Sequence, residues 1–266
     1  ELGKTDSEAG DEGHIKHAEH GDGGSDGGGN VHISGEGYKD RWRLLLDIVP
    51  DLPVSPAPDD QCRKHVTHSD PWASSDDNLV LAPAEAWTPA PRNYENPALY
   101  AIFPFRLFQI GKEPRVALPA DAAAAAFNLR PFPCNKGWCS DVVQAAHLGA
   151  AEMAAQMVEQ RFTSPTLKFP GFYLMHFDYT PEVCTGAVAK TALQAMALQY
   201  DGSNIYLFPS WPRHWSAHFK LHAPFNTTIE AKCHKGIVTH LHVSPRHRRD
   251  HISFPGICAP APGSTL

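Results

Sequence analysis

The chain has 266 residues, of which 42% are hydrophobic and 20% charged, the balance of a globular protein with room for one or two domains. Its mean hydropathy of −0.34, with no apolar run near about 18 residues, excludes a spanning helix and argues against a membrane partner. The net charge of −6 belongs to residues 1–30, with two basic and eight acidic side chains, whereas 211–251 is basic and holds eight of the sixteen His.

Residues 1–37 begin at Glu1 without an apolar signal core, as expected of a processed chain or a fragment, and they do not fix a compartment; an extracellular one would require a signal peptide on a longer chain. Nine Gly among the first 30 residues and few large apolar side chains cannot offset the entropy of ordering this head. From about residue 39, Trp42, Leu44, Leu45, Leu46 and Ile48 predict a short amphipathic helix ended by Pro50. Residues 50–92 are rich in Pro and Asp, with one short strand at Leu79-Val80-Leu81. A helix over about 97–110 is expected from Pro97 at its first turn, six apolar residues and Gly111 at its end, with a kink at Pro104. Further helices are expected at Ala120–Leu129, at two segments of 138–161 joined by Gly149, and at about 186–200.

Beyond Gly202 the apolar period changes from helical to alternating. Residues 205–208, 219–221, 227–232 and 237–243 read as strands, with Lys235-Gly236 as a hairpin turn. The six Cys are irregularly spaced; Cys134 and Cys139 are the close pair and are compatible with a disulfide, with two thiols, or with half of a zinc site that lacks its second pair. Asn226-Thr227-Thr228 matches a glycosylation acceptor. His240 and His242 share one strand face, where solvation is the ordinary reading and a metal the alternative. Arg246-His247-Arg248-Arg249 lacks interleaved aromatics, which argues against a nucleic-acid partner.

No phosphate loop, Gly-x-Ser-x-Gly elbow, zinc-protease helix or dinucleotide fingerprint is present, so no cofactor and no metal are called for. Three clusters mix aromatic and polar residues before helices: Asn93-Tyr94-Glu95-Asn96, Asn135-Lys136-Gly137-Trp138, and His176-Phe177-Asp178-Tyr179-Thr180-Pro181-Glu182. Sugar sites need such mixtures, because rings stack on sugar faces while hydroxyls require donors and acceptors. Each cluster also has the plainer reading of a core edge.

The run Asn93 to Pro104, then Gly137-Trp138-Cys139-Ser140-Asp141, then Leu193-Gln194-Ala195-Met196-Ala197-Leu198-Gln199, and finally Leu207-Phe208-Pro209-Ser210-Trp211-Pro212 with Trp215, falls in one order across about 93–245. In that order it resembles the C-terminal part of the family 95 glycoside hydrolases, which include inverting α-L-fucosidases and α-L-galactosidases. The resemblance implies a mainly α fold with a C-terminal β module: a partial α/α-toroid of the six-hairpin glycosidase type, then a small antiparallel β domain. The segments are then 1–37 as the head, 38–202 as helical hairpins, 203–254 as the β domain and 255–266 as a tail.

It also implies an oligosaccharide or glycan substrate ending in an α-linked fucose- or galactose-like sugar. Candidate catalytic carboxylates are Asp178, Glu95 and Glu182; candidate sugar contacts are Asn93, Tyr94, Trp138, His176 and Tyr179. Glu95 reads either as a substrate contact or as a cap for the helix starting at Pro97. Asp178 reads as a base or as a turn residue before Pro181, and Trp138 as a stacking platform or a packed helix end. Gap-free alignment puts Cys184 where the family has its base-side Asp, and the family's acidic Glu falls upstream of the matched region. The alternative is therefore a catalytically inactive relative or a carbohydrate-binding module.

Overall fold

The computed structural model describes residues 39, 41–45, 51–56, 79–86, 95–111, 120–163 and 183–264. The chain divides into two units, Glu1–Val49 and Pro50–Leu266. In the first, residues 41–45 form a helical turn (α1) with Trp42, Leu44 and Leu45 exposed.

The second unit opens with a two-stranded antiparallel pair, β1 (Val54–Pro56) and β2 (Leu79–Leu81). Then comes a short 3-10 helix, Pro97–Ala101. Among the described residues four α-helices follow: α2 (Ala120–Asn128), α3 (Asp141–His147), α4 (Ala151–Thr163) and α5 (Cys184–Ala197). The Ala run of α2 has the highest intrinsic helix propensity. On α4 the buried residues Ala154, Ala155, Met157, Val158 and Arg161 make one stripe, as do Thr185, Ala189, Ala192 and Met196 on α5.

α3 stops at Gly149, whose φ of +80° suits a residue without a Cβ. The Gly149 amide donates to the Ala146 carbonyl at 3.3 Å and the Ala150 amide to Ala145 at 3.0 Å, the paired bonds of a Schellman end. A side chain there would also collide with Ile110.

α5 enters β3 (Leu198–Asp201) with no intervening loop, the Leu198 amide donating to the Gln194 carbonyl. β3 pairs with β4 (Asn204–Leu207), and the chain leaving β4 returns to the helix end through Phe208 N–H to the Ala197 carbonyl at 2.8 Å. Buried Gln199 of β3 donates to the Ala146 and Ala195 carbonyls, both at 2.9 Å, and its oxygen faces His147 Nδ1 at 3.2 Å. One side chain thus joins α3, α5 and a strand.

A four-stranded sheet contains β5 (Ala217–Ala223), β6 (Thr227–His234), β7 (Ile237–Ser244) and β9 (Ala259–Pro260), in that order. β8 (Ile252–Ser253) instead joins β4. Along β6, Thr227, Ile229, Ala231 and Cys233 alternate inward, as a half-buried strand requires. Lys235 and Gly236 take φ of +50° and +80°, the turn whose twist suits a two-residue hairpin. Phe208 lies 5.3 Å from Phe219 and 6.2 Å from Trp211, centroid to centroid, so aromatic packing holds the sheet to the segment after β4.

The expectation of a mainly α fold, a partial toroid followed by an antiparallel module, is corrected. The described helices are short, and α3, α4 and α5 pack on one another as a small layer rather than as hairpins around a ring. Among the described residues, nine strands in three sheets share the unit with them, and β8 and β9 pair in parallel with their neighbours. The physical reason is the junction at Leu198: α5 continues as a strand where a toroid needs another helix. The helix expected over 97–110 is also shorter than read, since it ends at Ala101 and turns carry the chain through Pro104 to Gly111. Among the described residues, no helix is long and apolar enough to cross a membrane.

Candidate functional site

Asn96 and the start of α5 are linked through one connection, residues 130–139, which carries Trp138. Buried Asn96 donates through Nδ2 to the Phe132 carbonyl at 2.9 Å and accepts the Phe132 amide at 3.2 Å. Its side-chain amide therefore substitutes for a strand partner. Arg130 then donates to Asp141 at 2.5 Å, with its guanidinium 4.0 Å over the Phe127 ring. Asp141 also accepts the Cys134 amide at 2.9 Å. Both acceptor bonds lie at the first turn of α3, where the helix dipole favours a carboxylate.

Cys134 and Cys139 are joined in a disulfide that closes a small ring around Asn135, Lys136, Gly137 and Trp138. The bond consumes both thiols that a zinc site would need. Among the described residues there is no cluster of three or more metal-ligating side chains.

Arg161, 2% exposed, reaches from α4 into this ring. It donates to Asn135 Oδ1 at 2.8 Å and to the carbonyls of Gly137, Cys139 and Thr185 at 2.9, 2.7 and 3.2 Å. The Gly137 amide donates to the Thr185 hydroxyl at 3.1 Å. The loop is thereby fixed to the N-terminal turn of α5, and Trp138 stands half-buried between two carbonyls that Arg161 holds. Cys184, the first residue of α5, is exposed and belongs neither to this disulfide nor to the one between Cys233 and Cys258.

Glu95 does not cap the following helix. The N-cap residue is Asn96, without a side-chain cap bond, and the Glu95 carboxylate accepts the hydroxyl of Tyr100 instead. That hydrogen bond, reinforced by burial and by the Glu95 charge, pushes the Tyr100 phenol up to about 12 from its usual 10.0. The folded-state value lies above that of the unfolded chain, so this contribution to stability is whole below pH 10.0 and lost as pH rises through about 12. In an ultraviolet titration of phenolate absorbance, Tyr100 is expected to ionise late and to move down in Glu95→Gln. An identical curve for the two proteins would show that Glu95 does not govern it.

Glu95 and Trp138 are thus placed on segments anchored to one connection. Asn93, Tyr94, His176, Asp178, Tyr179 and Glu182 lie outside the described residues. Sequence reasoning passed over Arg161; the signal available was a lone Arg on the apolar stripe of α4. An apolar cleft of about 300 Å³ lies elsewhere, between α2 and the α3–α4 junction, walled by Phe127, Leu148, Met153 and Ile257. None of the described candidate site residues lines it. Compared with known proteins, the chain matches no protein-family model and no curated protein sequence.

Proposed function

We propose that the chain recognises glycans ending in an α-linked fucose- or galactose-like sugar, with Trp138 as the ring on which the sugar stacks. The observation that carries the reading is the way Trp138 is held: a half-exposed indole on a backbone fixed by a disulfide and by Arg161 on both sides. A ring positioned before the ligand arrives loses little entropy on binding. The order of motifs shared with the family 95 hydrolases supports the choice of sugar.

Hydrolysis with inversion would need an acid and a base roughly 6.5–9.5 Å apart. Asp141 is occupied by Arg130 and the Cys134 amide, and Glu95 by Tyr100. Cys184 stands where the resemblance places a base. The described residues therefore favour binding without turnover.

Saturation-transfer NMR with methyl α-L-fucoside and methyl α-D-galactoside tests the binding. Trp138→Ala is expected to weaken the bound sugar about tenfold, or ~1.4 kcal/mol, while its circular-dichroism spectrum stays that of the folded protein. No transfer to either sugar, or equal affinity in the variant, would overturn the reading. Release of nitrophenol from a nitrophenyl α-L-fucoside, lost in Glu95→Gln or Asp178→Asn, would replace binding with hydrolysis.

A further inference from the structure

The outer face of the four-stranded sheet carries a set of titratable side chains that glycan recognition at Trp138 does not use. β5 exposes His218, Lys220 and His222; β6 presents Thr228, Glu230, Lys232 and His234; β7 exposes His240 and His242. Pairing arranges them in rows, with Lys232 between His218 and His240, and Glu230 between Lys220 and His242. Neighbouring rows stand about 6.7 Å apart along the strands and their members about 4.8 Å apart across them.

Five His, two Lys and one carboxylate thus share one surface. Histidine is the side chain whose charge ordinarily changes between about pH 5 and 8. With neutral imidazoles the face carries +1, and with protonated ones +6. Glu230 stays anionic throughout, because the His218 hydrogen bond at 3.0 Å, with His240 and Lys220 nearby, holds it below the usual carboxylate range. The Thr228 hydroxyl faces His222 Nδ1 at 3.2 Å and the Ser216 hydroxyl faces His234 Nδ1 at 2.8 Å.

The edges add charge of the same sign. Arg213 packs along Gly236 beside Lys235 at the β6–β7 turn. After β7, Arg246, His247 and His251 are exposed in a 3-10 turn, with Asp250 as its carboxylate. β9 contributes no charged residue.

We propose that this face docks an acidic polysaccharide, binding it in mildly acidic solution and releasing it near neutrality. Charge complementarity selects an anionic partner. The strands of the face present no Phe, Tyr or Trp outward, Phe219 of β5 packs inward, and Phe225 in the β5–β6 turn is a single exposed ring at the edge, so single-stranded nucleic acid would find no run of stacking platforms.

Dextran sulfate tests the proposal with the full chain, because its sulfates keep their charge across the range and any pH response belongs to the protein. Affinity at about pH 5.5 is expected to exceed that at about pH 7.5 by about tenfold, and to collapse in about 1 M salt. Neutral dextran should not bind. The combined variant His218→Gln, His240→Gln, His242→Gln is expected to keep the weak neutral-pH binding and lose most of the increase. His222→Gln with His234→Gln, farther from Glu230, provides a second and smaller reduction if the first set disturbs the fold. Equal affinity at the two pH values, an unaltered response in both variants, or a short DNA duplex binding as tightly in acid would overturn it.

Discussion

Arg161→Met is expected to lower the free energy of unfolding by about 3–5 kcal/mol, because several buried acceptors lose one shared donor at once. The side chain is 2% exposed and donates to four acceptors on two segments, the disulfide loop and the start of α5. Methionine fills much of the volume but supplies no donor. The Gly137, Cys139 and Thr185 carbonyls would then be left in the interior, each at roughly 1–3 kcal/mol before water or relaxation reduces the sum. Arg161→Lys should recover only part of the loss, because an ammonium is a point donor and cannot span acceptors that a planar fork reaches. Urea denaturation measures both variants: the midpoint should fall with little change in slope. A loss below about 1 kcal/mol in Arg161→Met would mean that Arg161 occupies the loop without holding it.

Removing the Cys233–Cys258 disulfide with a double Ala substitution is expected to cost about 3–4 kcal/mol. The bond spans 25 residues, and chain-entropy reasoning gives roughly 3.5 kcal/mol for a loop of that size. Both residues are almost fully buried, and Cys258 directly precedes β9, which has only two residues with which to hold its place beside β7. Without the bond, that final strand depends on two backbone positions and local packing. The measurement is the denaturation midpoint of the double variant beside the parent, each with and without reductant. Reductant should lower the parent further than the variant, and equal midpoints for parent and variant without reductant would contradict the expectation. The same substitution at Cys134 and Cys139, which closes a separation of 5, should cost less.

The elements were more legible than their assembly. The helices at Ala120–Asn128 and Ala151–Thr163 follow from Ala content and a 3.6-residue apolar stripe, and the break at Gly149 follows from glycine's tolerance of positive φ. Alternation along β6 and Lys235-Gly236 likewise marked the hairpin. The segment 97–110 was misread in period though not in burial: Leu99, Ile102 and Phe108 are buried, but from a short 3-10 helix and turns. Apolar content alone does not separate these conformations.

The toroid failed for a different reason. Periodicity shows where a helix lies, but whether the next element is another helix depends on residues such as Gln199, whose amide binds two helix carbonyls from a strand. At the site, aromatic clusters drew notice through their composition. Arg161 did not, because its role comes from acceptors 22 to 26 residues away.

The seam at Ala197–Leu198 also limits how this chain can vary in length. Surface loops absorb insertions readily, but here the last helical residue is followed at once by the first strand residue. One added residue would rotate the preceding helix by about 100° relative to the strand, or else send every β3 side chain to the opposite face. Either change would withdraw Gln199 from the Ala146 and Ala195 carbonyls. Insertions in related chains are therefore expected to avoid this junction and to collect at turns such as Gly202-Ser203, where a side chain on Gly202 would meet no neighbour.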